Sequence, residues 1–307
     1  MPAGPEAKGI AMTTSHAELV WDAQCRLGEG TVWNAADASL YFVDIKGRAV
    51  LAYTPAGGAQ RRWAMPQKIG WLVPRRRGGW VAGFEQGVAA LSLDAAGGAS
   101  SIDWLHRLHE EGSPMRLNDA KADAHGRLWF GTMNNLDENR PDGLFYRLEA
   151  GGAPQPVDRG YGVTNGPAIS PDGATLYHTD SVAATIYAFD LDPRGALSNK
   201  RVLVRFEAGE GYPDGMTTDA QGHLWVAHWG GGRVTERDAH GRVLRTIEVA
   251  APQVTNVAFG GATLSDLYIT SARGNLDDAA LARAPQSGGL FVVRGAGTGR
   301  PPAAYAG

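Results

Sequence analysis

Short apolar runs and turns alternate along the whole chain. In a typical unit an apolar run is followed by a Gly- or Asp-rich turn and a second run that opens with an aromatic residue, as over residues 216–227. Short runs bounded by such turns are typical of β-strands. No stretch shows sustained helical periodicity, and only residues 277–283 indicate a turn or two of helix. The pattern therefore predicts an all-β protein.

This unit recurs six times, and the aromatic residues that open the second runs are separated by 39, 49, 48, 48 and 43 residues. These aromatic residues are Tyr41, Trp80, Trp129, Tyr177, Trp225 and Tyr268. Each unit continues into two further strand-like runs, for example residues 143–148 and 185–190. Four strands repeated at this interval are typical of propeller blades. The sequence thus predicts a six-bladed β-propeller with four-stranded antiparallel blades.

One strand-like run is left over near the N-terminus. Residues 17–21 precede the first unit, and we expect them to supply the outermost strand of the last blade, beside residues 290–293. This pairing would close the ring and cover two strand edges. The expected organisation is a flexible segment over residues 1–16 and a single propeller domain over residues 17–307.

Composition narrows the classes of function. The net charge is −3, so no nucleic-acid partner is expected, because such partners usually need a basic face. No run approaches the ~18 consecutive apolar residues that span a membrane, so no membrane partner is expected. Cys25 is the single cysteine, which excludes an intrachain disulfide and favours a cytoplasmic location. We expect a monomer or weak oligomer that acts on a small molecule.

The repeat brings polar residues to one equivalent position, eleven or twelve residues before each aromatic. These residues are Glu29, Lys68, Asn118, Asn165, Asp214 and Asn256. The first strand of each propeller blade lines the central channel, so the six positions should form a ring. Five of the six carry side-chain oxygens, and clustered carboxylates are costly unless a cation compensates their charge. The ring predicts one divalent metal ion: its oxygen donors suit Ca²⁺, Mg²⁺ or Mn²⁺, although Zn²⁺ and Fe²⁺ also accept carboxylate ligands.

Turn chemistry is the competing interpretation of these residues. Asn-Gly and Asp-Gly are common turn dipeptides, and a turn alone would explain Asn165-Gly166 or Asp214-Gly215. The spacing shared across the repeat favours a site. A second ring three residues after each aromatic includes Asp44, Asp180 and His228, and we expect it to hold the metal ligands in place.

The motifs at these positions are specific in combination. They are Leu27-Gly28-Glu29-Gly30, Arg116-Leu117-Asn118-Asp119, Thr164-Asn165-Gly166-Pro167, Pro213-Asp214-Gly215 and Thr270-Ser271-Ala272-Arg273. Together they resemble the senescence marker protein / gluconolactonase / regucalcin family of sugar lactonases over residues 17–295. The resemblance implies a six-bladed propeller, in agreement with the repeat, and an enzyme that hydrolyses sugar lactones.

The resemblance also implies roles for individual residues. Glu29, Asn165 and Asp214 match the family's metal ligands, and Arg116 and Asn118 match its sugar contacts. The aspartate that corresponds to Asp214 also moves the proton in the family. The chain departs from the family after Met133, where Asn134-Asn135-Leu136 stand in place of acidic residues that bind substrate in some members. The identity of the sugar is therefore open.

Two further substrate contacts are expected. Lys68 is a candidate specificity residue in the second blade. Trp229 is a candidate apolar wall, although packing in the core would equally explain a tryptophan there.

The predicted reaction is hydrolysis of an aldonolactone to the aldonic acid, with the metal as Lewis acid and Asp214 as general base. Overall likeness to bacterial sugar-oxidation lactonases favours a pentonolactone. A calcium-dependent propeller esterase or organophosphate hydrolase, and a non-catalytic metal-binding propeller, are the alternatives. A hydrolase triad of His178, Asp180 and Ser181 is rejected because near neighbours on one strand cannot converge.

Overall fold

The computed structural model describes residues 13–95 and 100–307, and regular structure within them is almost entirely β-sheet. Residues 1–12 of the segment expected to be flexible lie outside the described residues, whereas residues 13–16 form strand β1 (Thr13–His16). One short helix, α1 (Asp278–Arg283), begins after Asp277, whose side chain accepts a hydrogen bond from the Ala280 amide. Within the described residues no helix has the length and apolarity needed to cross a membrane.

Four sheets have four antiparallel strands each. The first contains β3 (Gly28–Asn34), β4 (Ser39–Asp44), β5 (Ala49–Thr54) and β6 (Ala59–Ala64). The second contains β7 (Ile69–Pro74), β8 (Trp80–Phe84), β9 (Gly87–Leu93) and β10 (Ser100–Arg107). The third contains β11 (Met115–Ala122), β12 (Leu128–Asn134), β13 (Gly143–Leu148) and β14 (Gln155–Tyr161). The fourth contains β15 (Thr164–Ile169), β16 (Thr175–Asp180), β17 (Thr185–Leu191) and β18 (Leu197–Arg205).

The remaining strands join β1 and β2 (Glu18–Trp21) in one nine-stranded sheet. They are β19 (Tyr212–Thr218), β20 (Leu224–Trp229), β21 (Arg233–Arg237), β22 (Val243–Glu248), β23 (Gln253–Gly260), β24 (Asp266–Ala272) and β25 (Leu290–Val293). The order is β1-β22-β21-β20-β23-β24-β25-β2, with β19 paired to β20. The protein is thus an all-β propeller with four four-stranded blades and one larger sheet.

The prediction of six four-stranded blades is therefore wrong. Trp229 at the end of β20 pairs with Gln253 at the start of β23, and this bridge makes one sheet of strands that the repeat divides between two units. β1 extends the same sheet by pairing parallel to β22. Both contacts are made by the backbone, so the pattern of apolar side chains carries no signal for them. The strand expected beside residues 290–293 is found there, since β2 pairs antiparallel with β25.

The channel is lined by the first strand of each repeated unit. β3, β7, β11, β15, β19 and β23 contact one another in succession, and β23 contacts β3, so that they form a ring. The C-terminal segment, residues 296–307, runs across one end of this ring. Arg300 donates to the Ile169 carbonyl at the end of β15, and the Tyr305 amide donates to the Pro74 carbonyl at the end of β7. This end of the channel is therefore covered by the chain itself.

His178 is an unusual member of the core between the third and fourth sheets. It is fully buried in β16, its ring stacks on Phe145 at 3.9 Å between centroids, and it meets the edge of Tyr161 at 4.6 Å. Neither ring nitrogen has a hydrogen-bond partner. Burial lowers the pKa of His178 to about 3, so the folded protein holds the ring neutral.

We expect the stability of His178→Phe to fall less than that of the wild type as pH decreases from 7 to 5. The unfolded chain takes up a proton near pH 6.5 that the folded ring refuses until about pH 3, so this residue costs stability as pH falls between those values. The cost is about 1.4 kcal/mol per pH unit. Urea unfolding at pH 7, 6 and 5 measures this effect. The free energy of unfolding of His178→Phe minus that of the wild type should increase at each lower pH. An unchanging difference would contradict this account; His125→Phe, in an exposed turn, is the control.

Candidate active site

The uncovered end of the ring opens into a cavity of about 350 Å³. Six of the seven predicted site residues line it: Glu29, Arg116, Asn118, Asn165, Asp214 and Trp229. Lys68 does not; its ammonium group pairs with Glu85 Oε1 at 2.9 Å. Lys46 is the lysine that lines the cavity. A second cavity of about 390 Å³ lies at the far ends of the same strands, beside residues 300–303, and none of the predicted site residues lines it.

Two buried carboxylates are the main charges of the site. Glu29 on β3 and Asp214 on β19 are 5% and 4% exposed. Glu29 Oε2 accepts hydrogen bonds from Asn256 Nδ2 at 3.0 Å and from the Gly30 amide at 3.1 Å. Asp214 Oδ1 is buried without a hydrogen-bond partner. A carboxylate oxygen in this state is costly unless a proton or a cation binds it.

The pKa values of these groups reflect the same electrostatics. Burial raises the pKa of Glu29 well above its ordinary value, and the charge of Asp214 adds to the rise. Burial likewise raises the pKa of Asp214, with a further contribution from Asp119. The charge of a bound cation would favour the ionised form of both carboxylates and so would oppose both shifts.

A chain of hydrogen bonds connects the predicted sugar contacts to the predicted metal ligands. Arg116 Nη1 donates to Asn118 Oδ1 at 2.5 Å, and Asn118 Nδ2 donates to Asn165 Oδ1 at 2.9 Å. Asn165 Nδ2 donates to Ser181 Oγ at 2.9 Å, and Ser181 donates to the Pro213 carbonyl at 2.6 Å. The chain ends beside Asp214, so it fixes side chains from β11 and β15 relative to β19.

A layer of polar residues lies against these carboxylates. Asn256 Nδ2 lies between Glu29 Oε2 and Asp119 Oδ2, at 3.0 Å and 3.3 Å. Asp119 also accepts from the Gly166 amide at 3.1 Å. Lys121 is partly buried near Asp119 and Glu29; burial lowers its pKa and the two carboxylates oppose that shift. The sequence analysis assigned no role at the site to Asp119, Lys121 or Ser181, although Asp119 belongs to the Arg116-Leu117-Asn118-Asp119 motif.

Asp44 and Asp180, which we expected to hold the metal ligands in place, accept hydrogen bonds from loop amides. Asp44 accepts hydrogen bonds from the amides of Arg26, Leu27 and Gly47, and so shapes the loops beside β3. Asp180 does the same for residues 162–163 and 183. The expectation that Asp44 and Asp180 hold the metal ligands in place is therefore wrong. The predicted ligands Glu29 and Asn165 instead bond to Asn256 and Asn118, which belong to the same ring of inner-strand positions.

The oxygen donors of the site fit a hard divalent cation. Glu29, Asp214 and the Asn165 amide oxygen provide two carboxylates and a carbonyl, and Asp214 Oδ1 is an unsatisfied acceptor. Such donors suit Ca²⁺, Mg²⁺ or Mn²⁺.

A second group, Asp219, His223 and Glu236, has ligand atoms within 4.8 Å of one another and could also hold a metal ion. Its oxygens already have partners: Asp219 accepts from Trp225 Nε1 at 3.0 Å and Glu236 from Arg245 Nε at 3.0 Å. The third repeated unit has an equivalent group that contains no histidine, and it shows a structural role for these residues. Asp123 accepts from Trp129 Nε1 at 2.9 Å in the same way, with Arg127 in the place of His223. A cation is therefore not needed there.

The fold and the site define a propeller with buried carboxylates in its channel. The chain belongs to the SMP-30/gluconolactonase/LRE-like family, whose model matches residues 27–273. The predicted family is thereby confirmed.

Individual relatives cover nearly the whole chain. Regucalcin of Oryctolagus cuniculus is 35% identical over 305 residues, which is 96% of this chain and 100% of the relative. A pentonolactonase of Haloferax volcanii is 36% identical over 287 residues, covering 92% of this chain and 95% of the relative. Among solved structures, a calcium-binding regucalcin from Agrobacterium tumefaciens has a TM-score of 0.88 at 28% identity, covering 96% of this chain and 98% of that one.

Proposed function

We propose that the protein is a lactonase that hydrolyses an aldonolactone to the aldonic acid, with a divalent cation held by Glu29, Asn165 and Asp214. The observation that carries the proposal is the pair of buried carboxylates, one with an unpartnered oxygen, in an open cavity of about 350 Å³. Lactonase activity is supported by membership of the family and by the similarity to a pentonolactonase. The same similarity favours a pentonolactone as substrate.

The chemistry follows from the groups in the cavity. The cation would supply Lewis acidity at the lactone carbonyl. Asp214 takes a proton from the attacking water, because it is a buried carboxylate of the cavity with an oxygen free to accept it. The water oxygen bonds to the carbonyl carbon, the bond between this carbon and the ring oxygen breaks, and the ring oxygen takes up the proton that Asp214 accepted. Arg116 and Asn118 orient the hydroxyl groups of the sugar, and Trp229 forms an apolar wall beside it.

The same experiments distinguish two other functions. A calcium-dependent propeller esterase or organophosphate hydrolase would use the same carboxylates on a different ester. A non-catalytic metal-binding propeller would hold the cation without turnover. We further propose a cytoplasmic role in carbohydrate metabolism, which the single buried thiol of Cys25 permits.

The test is a panel of pentono- and hexonolactones assayed with the metal-stripped protein, to which Ca²⁺, Mg²⁺, Mn²⁺, Zn²⁺ and Fe²⁺ are returned one at a time. We expect no enzymatic turnover without a cation, and recovery with at least one, highest on pentonolactones. Spontaneous hydrolysis is subtracted with a sample that lacks protein. Turnover of aryl esters or phosphotriesters without turnover of any lactone would contradict the proposal, and full activity of the stripped protein would contradict the cation.

A further inference from the structure

The lining of the cavity includes an apolar wall. Its members are Val163, Val182, Tyr212 and Trp229. The Ser181 amide donates to the Val163 carbonyl at 3.0 Å, which sets Val182 beside Val163. Tyr212 and Trp229 are directly paired across β19 and β20. The hydrogen bond from Ser181 Oγ to the Pro213 carbonyl, at 2.6 Å, ties the two pairs together. All four side chains line the cavity that Asn165 and Asp214 also line.

The wall is exposed although its residues are apolar. Val182 is 38% exposed and Tyr212 is 50% exposed, and both are among the few large apolar side chains in the described part of the chain that solvent reaches to this extent. Val182 and the Glu138 carbonyl oxygen both lie close to Gly162: a Cβ at Gly162 would come within 3.0 Å of Val182 Cβ and 2.9 Å of the Glu138 carbonyl oxygen. An apolar surface in this position is stabilised when a ligand covers it.

The rest of the lining is polar. Lys46 Nζ donates to Asn275 Oδ1 at 3.5 Å, and Glu138 and Asn139 contribute further donors and acceptors. A hexonolactone that carries a hydroxyl on its terminal carbon would place this hydroxyl against the wall. That hydroxyl would lose hydrogen bonds to water, and Val163 and Val182 offer it no side-chain partner in return; within the wall only the Tyr212 hydroxyl and the Trp229 indole N–H could bond to it.

We propose that, among six-carbon lactones, the wall selects a deoxy-sugar lactone whose terminal carbon is a methyl group. This inference rests on the proposed lactonase function and concerns the discrimination of lactones that extend one carbon beyond a pentonolactone. The polar side of the cavity binds the ring hydroxyls, and the methyl group lies on Val182 and Tyr212. A terminal hydroxymethyl group in the same place is disfavoured because Val182 offers its oxygen no hydrogen bond.

The experiment compares two lactones that differ in one oxygen atom, D-fucono-1,4-lactone and D-galactono-1,4-lactone, with the cation-loaded protein. We expect kcat/KM to be about tenfold higher for D-fucono-1,4-lactone. Equal kcat/KM for the two would overturn the inference and leave the lactonase function standing. Absence of turnover of both, and of L-arabinono-1,4-lactone, which lacks the terminal carbon, would overturn the lactonase function and the inference with it.

A matched pair of variants tests whether Val182 causes the preference for D-fucono-1,4-lactone. Val182→Thr keeps the shape of the side chain and adds a hydroxyl, so it should lower the ratio of the two kcat/KM values by roughly threefold, mainly through faster turnover of D-galactono-1,4-lactone. Val202→Thr makes the same change at a valine that is 44% exposed on β18 and does not line the cavity, and it should leave the ratio unchanged. An equal ratio in Val182→Thr and wild type would contradict the assignment of the wall.

Discussion

Asp214→Asn should lower kcat on the best lactone by about 10³-fold or more while the protein remains folded. The amide cannot take a proton from water, and it also removes one of the two charges that hold the cation. The variant keeps nearly the same shape, and it removes a buried carboxylate with an unpartnered oxygen, so the metal-free variant should be at least as stable as metal-free wild type. Initial rates and urea unfolding measured on the same preparations check both statements.

The control for this substitution is Asp190→Asn, which changes the same residue type at an exposed position on β17. Its kcat should match the wild type. Activity of Asp214→Asn within a few-fold of wild type, with the cation present, would contradict the role of Asp214 as base. A loss of folding in Asp214→Asn would contradict the electrostatic account of the site.

Cation binding should raise the stability of the protein, most strongly at neutral and higher pH. Because burial raises the pKa of Glu29 and of Asp214, these groups favour the folded state below their unfolded pKa and lose that contribution as pH rises through the folded pKa. A cation removes the repulsion between the ionised groups. At a free concentration of 100 times Kd, it should add about 2.7 kcal/mol to the free energy of unfolding.

Glu29→Gln tests this linkage, with Glu236→Gln as its control. Urea unfolding of each variant with EDTA and with Ca²⁺ or Mn²⁺ should show that Glu29→Gln loses most of the cation-dependent gain. Glu236→Gln changes the other group that could hold a metal ion and should keep the gain. The reverse result would move the cation site to Asp219, His223 and Glu236.

The sequence repeat predicted the residues of the channel well because the repeat is a pattern of side-chain types at a fixed spacing. Glu29, Asn118, Asn165 and Asp214 each occupy the equivalent position on an inner strand, and their distance from the next aromatic is kept by the length of the hairpin. Lys68 shares the spacing, but it precedes β7 and its side chain turns to Glu85. Spacing alone does not define the direction of a side chain at the edge of a strand.

Other features depend on contacts that no local pattern records. The bridge between Trp229 and Gln253 joins two backbones, and it makes one sheet where the repeat indicated two. The apolar wall is assembled from loops before β15 and after β16 and from the ends of β19 and β20. Val163 and Val182 are ordinary apolar residues in sequence, and their place beside Asp214 follows from the hydrogen bonds of Ser181. Such long-range placement is visible only in three dimensions.

The most direct test of the account is an anomalous difference map from crystals of the metal-stripped protein soaked in Mn²⁺. The account predicts one strong peak in the channel, about 2.0–2.6 Å from oxygens of Glu29, Asn165 and Asp214. The same soak of Asp214→Asn crystals should weaken or remove it. A channel without a peak, with Mn²⁺ instead bound by Asp219, His223 and Glu236, would contradict the central claim.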